Sequence, residues 1–304
     1  MGDVMSFSYD TKTELCRNIP DGMCCAAAEC HGMLLYGNTF SAREIRIITG
    51  NLNLGEHIVK RFSRAFYVSF DILPEPGKTG KQAYIINDPP KLNRIFETYG
   101  YSPESLLAHH VNLGVLEEEC CRRSFIRGAF LTGGAITNPE RSYHLELVTD
   151  HFSVSRETYS LLLEMGFFPK ETSRGGNYIT YFKQSSAIED FLTLIGAPLH
   201  AMELMSAKIE KDMRNSVNRK VNCDTANVAK TVDASAAQIE AISRIENAGV
   251  FAALPEKLKQ TAILRMRNPE LSIKELADIS TPPVTKSCLS HRLRKLIELS
   301  LAGE

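Results

Sequence analysis

CCRRSFIRGAFLTGGAI, residues 120–136, runs from two adjacent cysteines through an apolar stretch to the glycines Gly133 and Gly134. It reads as a helix with a glycine-bearing end. That pattern suits a phosphate cradle, the remains of an active site, or close packing. CCAAAECHGMLLYGNTF, residues 24–40, carries the same pattern without a gap. Cys24 aligns with Cys120, Cys25 with Cys121, Gly32 with Gly128, Leu35 with Leu131 and Gly37 with Gly133, every pair offset by 96 positions. Two copies do not make a solenoid. They predict a pseudo-two-fold domain.

The repetition extends downstream. The runs 45–49 (IRIIT) and 145–149 (LELVT) are β-rich and partly alternating, so both read as strands, with four residues inserted between motif and strand in the second copy. Helical patterns follow over 56–66 and 155–165. Strand-like pieces come next, over 67–73 and 81–87 around Gly77 and Gly80, and over 167–171 and 177–183 around Gly175 and Gly176. Each copy closes with a helix, 91–99 before Gly100 and 186–195 before Gly196, and glycine just past a helix is a stop signal. The expectation is an α+β domain of two αβαββα repeats, about 10–100 and 108–200, followed by an all-α module.

Composition narrows the function classes. A chain of 304 residues can bury a substantial core and hold two domains. The formal net charge is −1, so any nucleic-acid footprint must be local. No apolar run is long enough to span a membrane and no signal-peptide pattern is present, which points to the cytoplasm. The eight cysteines include two adjacent pairs but no CxxC. Neighbours on a helix point about 100° apart, so a pair does not easily face one ion. The expectation is reduced, mostly buried thiols and no metal or other cofactor. The pair His109-His110 lies between the repeats and reads as a solvated linker.

Glycine weakens a helix by about 1 kcal/mol relative to alanine, and its use here is to let two backbones approach. The two motif helices are therefore expected to pack on the pseudo-two-fold axis. The repeat resembles the LAGLIDADG fold of homing endonucleases, in which two such helices pack centrally and paired sheets form a saddle over DNA. Residues 126–134 lie over the nine-letter motif, and 31–38 over its second to ninth letters. The resemblance places the metal-binding acid at Gly37 and Gly133, and a second acid at Leu35 and Leu131. All four carboxylates are missing. Glu29 and Glu140 are near in sequence but do not occupy the helix end. Metal-assisted phosphodiester cleavage needs oxygen ligands, so nuclease activity is not expected. A phosphate loop is excluded by the lack of GxxxxGK[ST]. On the face expected to be open, Arg46 and Glu146 hold equivalent places; an acid there opposes phosphate contact, and these residues leave a protein-contact surface and residual DNA binding both open.

After about residue 205 the texture turns helical and charged. The expected domains are 1–205, a linker helix over 206–222, and 223–304. Residues 224–245 read as an amphipathic helix with Val228, Val232, Ile239, Ile242 and Ile245 on its apolar side. Ser272-Ile273-Lys274-Glu275 is a capping box for a short helix over 273–279, which Pro282-Pro283 must end. Thr285 can cap a second helix to about Ser300. With a helix over 254–267, this is a tri-helical helix-turn-helix pattern. In the last helix Leu289, Leu293, Leu296 and Ser300 form the core stripe. Lys286, Ser287, Ser290, His291, Arg292, Arg294 and Lys295 are the candidate DNA-contacting residues, opposed by Glu298 alone.

SIKELADISTPPVTKSCLSHRLRKL resembles the C-terminal helix-turn-helix of the WhiA family, transcription regulators of sporulation and cell division in Gram-positive bacteria. Met5-Ser6-Phe7-Ser8 and the run 219–227 also match its landmarks, and the resemblance covers essentially the whole chain. Cys288 departs from it, standing where a small residue is expected. The resemblance implies a nucleoid-associated regulator that binds double-stranded DNA, with a protein co-regulator as a further partner. Two other readings are an active nuclease, opposed by Gly37 and Gly133, and a protein-interaction scaffold whose helix-turn-helix binds a partner. Operator, target genes, activation or repression, and oligomeric state are not specified by these residues.

Overall fold

A computed structural model describes residues 6–18, 22–75, 80–101 and 108–301. Met5 and Gly77 lie outside the described residues. The chain divides into two units, Met1–Lys211 and Asp212–Glu304.

The first unit opens with helix α1 (Phe7–Arg17), whose N-cap Ser6 accepts from the Tyr9 amide. The first repeat follows as α2 (Met23–Leu35), β1 (Thr39–Phe40), β2 (Ile45–Thr49), α3 (Leu52–Phe66), β3 (Gln82–Ile86) and α4 (Pro89–Thr98). The second repeat is α5 (Glu119–Gly133), β4 (Gly134–Ile136), β5 (Leu145–Thr149), α6 (Phe152–Glu164), β6 (Lys170–Arg174), β7 (Asn177–Phe182) and α7 (Ser185–Ile195). The two antiparallel sheets run β1-β2-β3 and β4-β5-β7-β6.

The expected α+β architecture of two repeats and a helical module is present, and the repeats differ from αβαββα in detail. Each repeat has a short extra strand, β1 or β4, directly after its motif helix. In the first repeat the strand expected over 67–73 is reduced to a single bridge, Ile72 to Ile85. The helix starts also shift. Asn51 caps α3 by accepting from the Leu54 amide, so that helix begins four residues before the expected 56. Gly100 and Gly196 do end their repeats, with φ of 67° and 96°, a region most side chains avoid.

Helices α2 and α5 are buried on most sides and pack against each other at the centre of this unit. Their contact is reciprocal. A Cβ on Gly32 would lie 2.1 Å from the Phe125 carbonyl oxygen and 2.7 Å from the Ala129 nitrogen. A Cβ on Gly128 would lie 2.0 Å from the Glu29 carbonyl oxygen and 3.1 Å from the Met33 nitrogen. Phe125 and Ala129 are the repeat equivalents of Glu29 and Met33, so the two helices meet as an isologous pair. Backbone lies against backbone, and only glycine fits.

A buried charge cluster crosses the same seam. The Glu29 carboxylate sits 2.6 Å from His57 Nε2 and 2.8 Å from Arg61 Nη2, and accepts from Arg127 Nε at 3.3 Å. Arg127 also donates to the carbonyls of Ile195 (3.2 Å) and Leu15. Burial alone would raise the Glu29 carboxyl, but His57, Arg127 and Arg61 together hold it below its ordinary value.

The helix containing 206–222 is α8, continuous from Pro198 to Asn247, of which the residues from Asp212 onward belong to the second unit. It is followed by α9 (Glu256–Arg267), α10 (Ile273–Ile279) and α11 (Lys286–Leu301). Leu276, Ala277, Leu289, Leu293 and Leu296 form the core with Ile242, Ile245, Leu254 and Ala262. The amphipathic reading of 224–245 needs correction: Ile242 and Ile245 are buried, but Val228 and Val232 are exposed, because the face that α8 turns to the other helices here carries Thr231 and Ser235 instead. No helix among the described residues is long and apolar enough to cross a membrane.

Candidate nucleic-acid interface

The α10–α11 turn is fixed by local chemistry. The Ser272 hydroxyl accepts from the Glu275 amide, and the Glu275 carboxylate accepts from the Ser272 amide, closing the capping box. Pro282 and Pro283 separate the helices, and the Val284 amide donates to the Ala277 carbonyl across the turn. Thr285 Oγ1 accepts from the Cys288 amide at 3.2 Å, which starts α11. Cys288 is half-buried there.

Leu289, Leu293, Leu296 and Ser300 are the buried residues of α11. Lys286, Ser287, His291, Arg294 and Lys295 are exposed, and Ser290 is half-buried beside them. Lys295 pairs with Glu298 at 3.3 Å, so part of its charge is spent on its own helix. No acid among the described residues pairs with Arg294. Arg292 stands apart from this group. It is half-buried and lines a groove against α9 with Gln260, Ile263 and Arg267.

Two further lysines escaped the sequence reading. Lys230 on α8 and Lys274 on α10 line one groove with Lys286, so three helices each bring a lysine to the N-terminal end of α11. Single lysines on separate helices carry no sequence signal. Only the packing collects them.

At the motif ends, Leu35 and Leu131 are buried in the core, and Gly37 and Gly133 follow them. A Cβ on Gly133 would lie 2.5 Å from the Val148 carbonyl oxygen and 2.9 Å from Tyr36 Cβ, and one on Gly37 would lie 2.7 Å from the Met33 carbonyl oxygen. Glu29 is committed to the buried cluster, and Glu140 is exposed. On the sheet face that includes Arg46 and Glu146, the register also places the exposed Lys170 and Arg174 beside Glu146. Arg46 pairs with Glu44 at 2.8 Å, and Glu146 with His144 at 3.2 Å. Ile48, Ile72 and Leu73 are exposed on the first repeat.

The histidine and cysteine expectations are both corrected. His109 is not a solvated linker residue. Its ring stacks on Phe40 at 4.9 Å and meets His151 at 4.5 Å, and burial, with His151 second, lowers it to about 4. His110 pairs with Glu157 at 2.7 Å. Of the cysteines only Cys25, Cys30 and Cys121 are buried. The two adjacent pairs also do not stand alone: the sulfurs of Cys24, Cys25, Cys120 and Cys121 all lie within 4.8 Å of one another.

Comparison with known proteins gives a consistent result. The family profile "WhiA LAGLIDADG-like domain" matches residues 122–214, and "WhiA C-terminal HTH domain" matches 217–300. A "Probable cell division protein WhiA" of Ruminiclostridium cellulolyticum is 38% identical, covering 97% of this chain and 97% of that protein. A protein of the same name in Heliobacterium modesticaldum is 35% identical, covering 98% and 97%. The crystal structure of full-length WhiA from Thermotoga maritima aligns with a TM-score of 0.59 at 24% identity, covering 98% of this chain and 99% of that one, and so shares its fold.

Proposed function

The chain belongs to the WhiA family, and from that premise we propose that it is a sequence-specific DNA-binding transcription regulator without nuclease activity. The observation that carries this reading is the face of α11. Lys286, Ser287, His291 and Arg294 stand exposed opposite the buried leucines, with Ser290 at the edge. A second helix of this kind enters the major groove with its N-terminal residues. Lys230, Lys274 and Lys286 supply phosphate contacts beside it, and Arg292 supports the α9 side of the module. The DNA-binding part is assigned to 223–304, joined through 206–222 to a non-catalytic 1–205. Its targets are sporulation or cell-division genes, and the protein works on the nucleoid in the cytoplasm with a protein co-regulator.

Arg294→Ala tests the placement of α11. The side chain lies away from the core, so folding is expected to survive. If Arg294 reads a guanine edge, the preferred site weakens by about 1–3 kcal/mol and one base position relaxes. If it contacts phosphate, binding weakens on every sequence and the salt slope shrinks by about one. Fluorescence anisotropy on specific and scrambled duplexes at several salt concentrations distinguishes the two. Wild-type affinity and salt slope in a folded variant would remove α11 from the groove.

Absence of cleavage is a separate expectation. Leu35, Gly37, Leu131 and Gly133 offer no oxygen side chain for a divalent ion. Incubation of the protein with its own bound DNA and Mg²⁺ or Mn²⁺ should leave the duplex intact. Specific double-strand cuts that disappear when this chain is mutated would overturn the assignment.

The first unit's open face carries both apolar and basic groups, and it serves either protein contact or DNA contact, with Lys170 and Arg174 exposed on it. Arg46 and Glu146 are each already paired, and Ile48 and Ile72 are exposed there. A steep salt slope that survives removal of the α11 cations would assign DNA contact to this face.

A further inference from the structure

Cys24 and Cys25 lie in the first turn of α2, and Cys120 and Cys121 in the first turn of α5. Because the two helices pack side by side across the pseudo-two-fold, their N-terminal ends meet and the four sulfurs converge. All lie within 4.8 Å of one another, and the Sγ atoms of Cys120 and Cys121 are 3.9 Å apart. A tetrahedron of sulfurs around zinc at about 2.3 Å has edges of about 3.8 Å. The cluster is therefore the size of a single-ion site. Residues on one helix turn would not enclose an ion, but two pairs from two helices do.

The surroundings suit thiolates. The N-terminal ends of both helices point positive partial charge at the sulfurs. Neither N-cap residue, Gly22 or Glu118, accepts a first-turn amide with its side chain, so no side chain competes with sulfur for those amides. A Cβ on Gly22 would lie 3.3 Å from the sulfurs of both Cys24 and Cys25, so glycine there keeps the cluster uncrowded. Cys25 and Cys121 form the floor, and the exposed Cys24 and Cys120 leave an entry path from solvent.

We propose that Cys24, Cys25, Cys120 and Cys121 form a four-thiolate site for one zinc ion that ties the N-terminal ends of α2 and α5 together. Binding releases the thiol protons to solvent and involves no change of oxidation state. Four protein ligands close the coordination shell, which is the arrangement of structural rather than catalytic zinc. Its position agrees with that role. By the helical rise, Gly37 and Gly133 lie roughly 20 Å from the cysteines, at the other end of the helix pair. The site clamps the repeats together at the starts of their motif helices, before the glycine contact.

The test uses the full chain, purified anaerobically with reductant. Metal analysis should find about one zinc per chain. Cobalt added to the metal-free protein should give the thiolate-to-metal charge-transfer and visible bands of a tetrahedral sulfur site. The double variant Cys24→Ser/Cys120→Ser changes only exposed positions. It should stay folded, lose the cobalt bands and retain under about a tenth of the zinc. Cys223→Ser, on an exposed thiol elsewhere, should bind like the wild type. Chelation should lower the unfolding temperature of the wild type and leave that of the double variant unchanged. A folded wild-type chain with neither zinc nor cobalt absorption would overturn the site. So would full metal binding by the double variant, or recovery of the four sulfurs as disulfides from the reduced preparation.

Discussion

Replacing Gly128 with leucine should destabilise the first unit by about 3 kcal/mol or more, at or beyond the upper end of ordinary overpacking. The three atoms nearest to an added Cβ are all backbone, so no flexible side chain gives way first. That Cβ would meet the Glu29 carbonyl oxygen at 2.0 Å, and that oxygen belongs to the backbone of α2. The helices must separate, and separation also opens the contact of Gly32 with Phe125 and Ala129. Gly128→Ala should already be costly for the same reason, and Gly32→Leu should mirror Gly128→Leu. Urea unfolding followed by circular dichroism measures the effect. An unchanged midpoint in Gly128→Leu would mean that the two motif helices do not touch.

Glu29→Gln should cost about 3–5 kcal/mol, the range for breaking a buried ion pair from one side. The amide nearly keeps the volume but removes the charge that compensates Arg61 and Arg127, both essentially buried. The pH dependence gives a second readout. The folded carboxyl titrates below its ordinary value of 4.5, so its stabilisation is complete above that value and is lost as pH falls through the lower, folded one. The variant should lack this part of the acid transition. A double variant, Glu29→Gln/Arg127→Met, should cost less than the two single changes together. A loss under about 1 kcal/mol in Glu29→Gln would show that the cluster does not carry the seam.

The repeat was legible because chemistry and spacing agree. Cysteines, glycines and leucines all return at one offset, and few other arrangements satisfy that. The end of the chain was legible because its punctuation is local. The capping box bounds α10, the two prolines end it, and Thr285 starts α11. The strands β1 and β4 were not legible, since two or three residues are too few to display a period of two. The change in composition near residue 205 suggests a boundary that the helix α8 does not respect. Neither glycine nor proline occurs between Pro198 and Gly249, so nothing in that interval stops a helix.

At the candidate interface, a helical projection was enough to separate the exposed Arg294 from the buried Leu293. Lys230 and Lys274 could not be seen that way, because their nearness to Lys286 is tertiary. The cysteines were a different case. The alignment already set Cys24-Cys25 against Cys120-Cys121, and the motif helices were already expected to pack. Judging each pair by itself hid what the two statements imply together.

Gly133 bears on whether the motif's lost carboxylate could return. The glycine is not a vacancy waiting for a side chain. The Val148 carbonyl oxygen and the Tyr36 side chain stand where a Cβ would go, and Val148 is held in register against Ile179 in the sheet. An aspartate at 133 would have to displace a strand before it could reach an ion. The change is therefore a ratchet: a single substitution can remove the acid, but restoring it requires the neighbouring backbone to retreat at the same time.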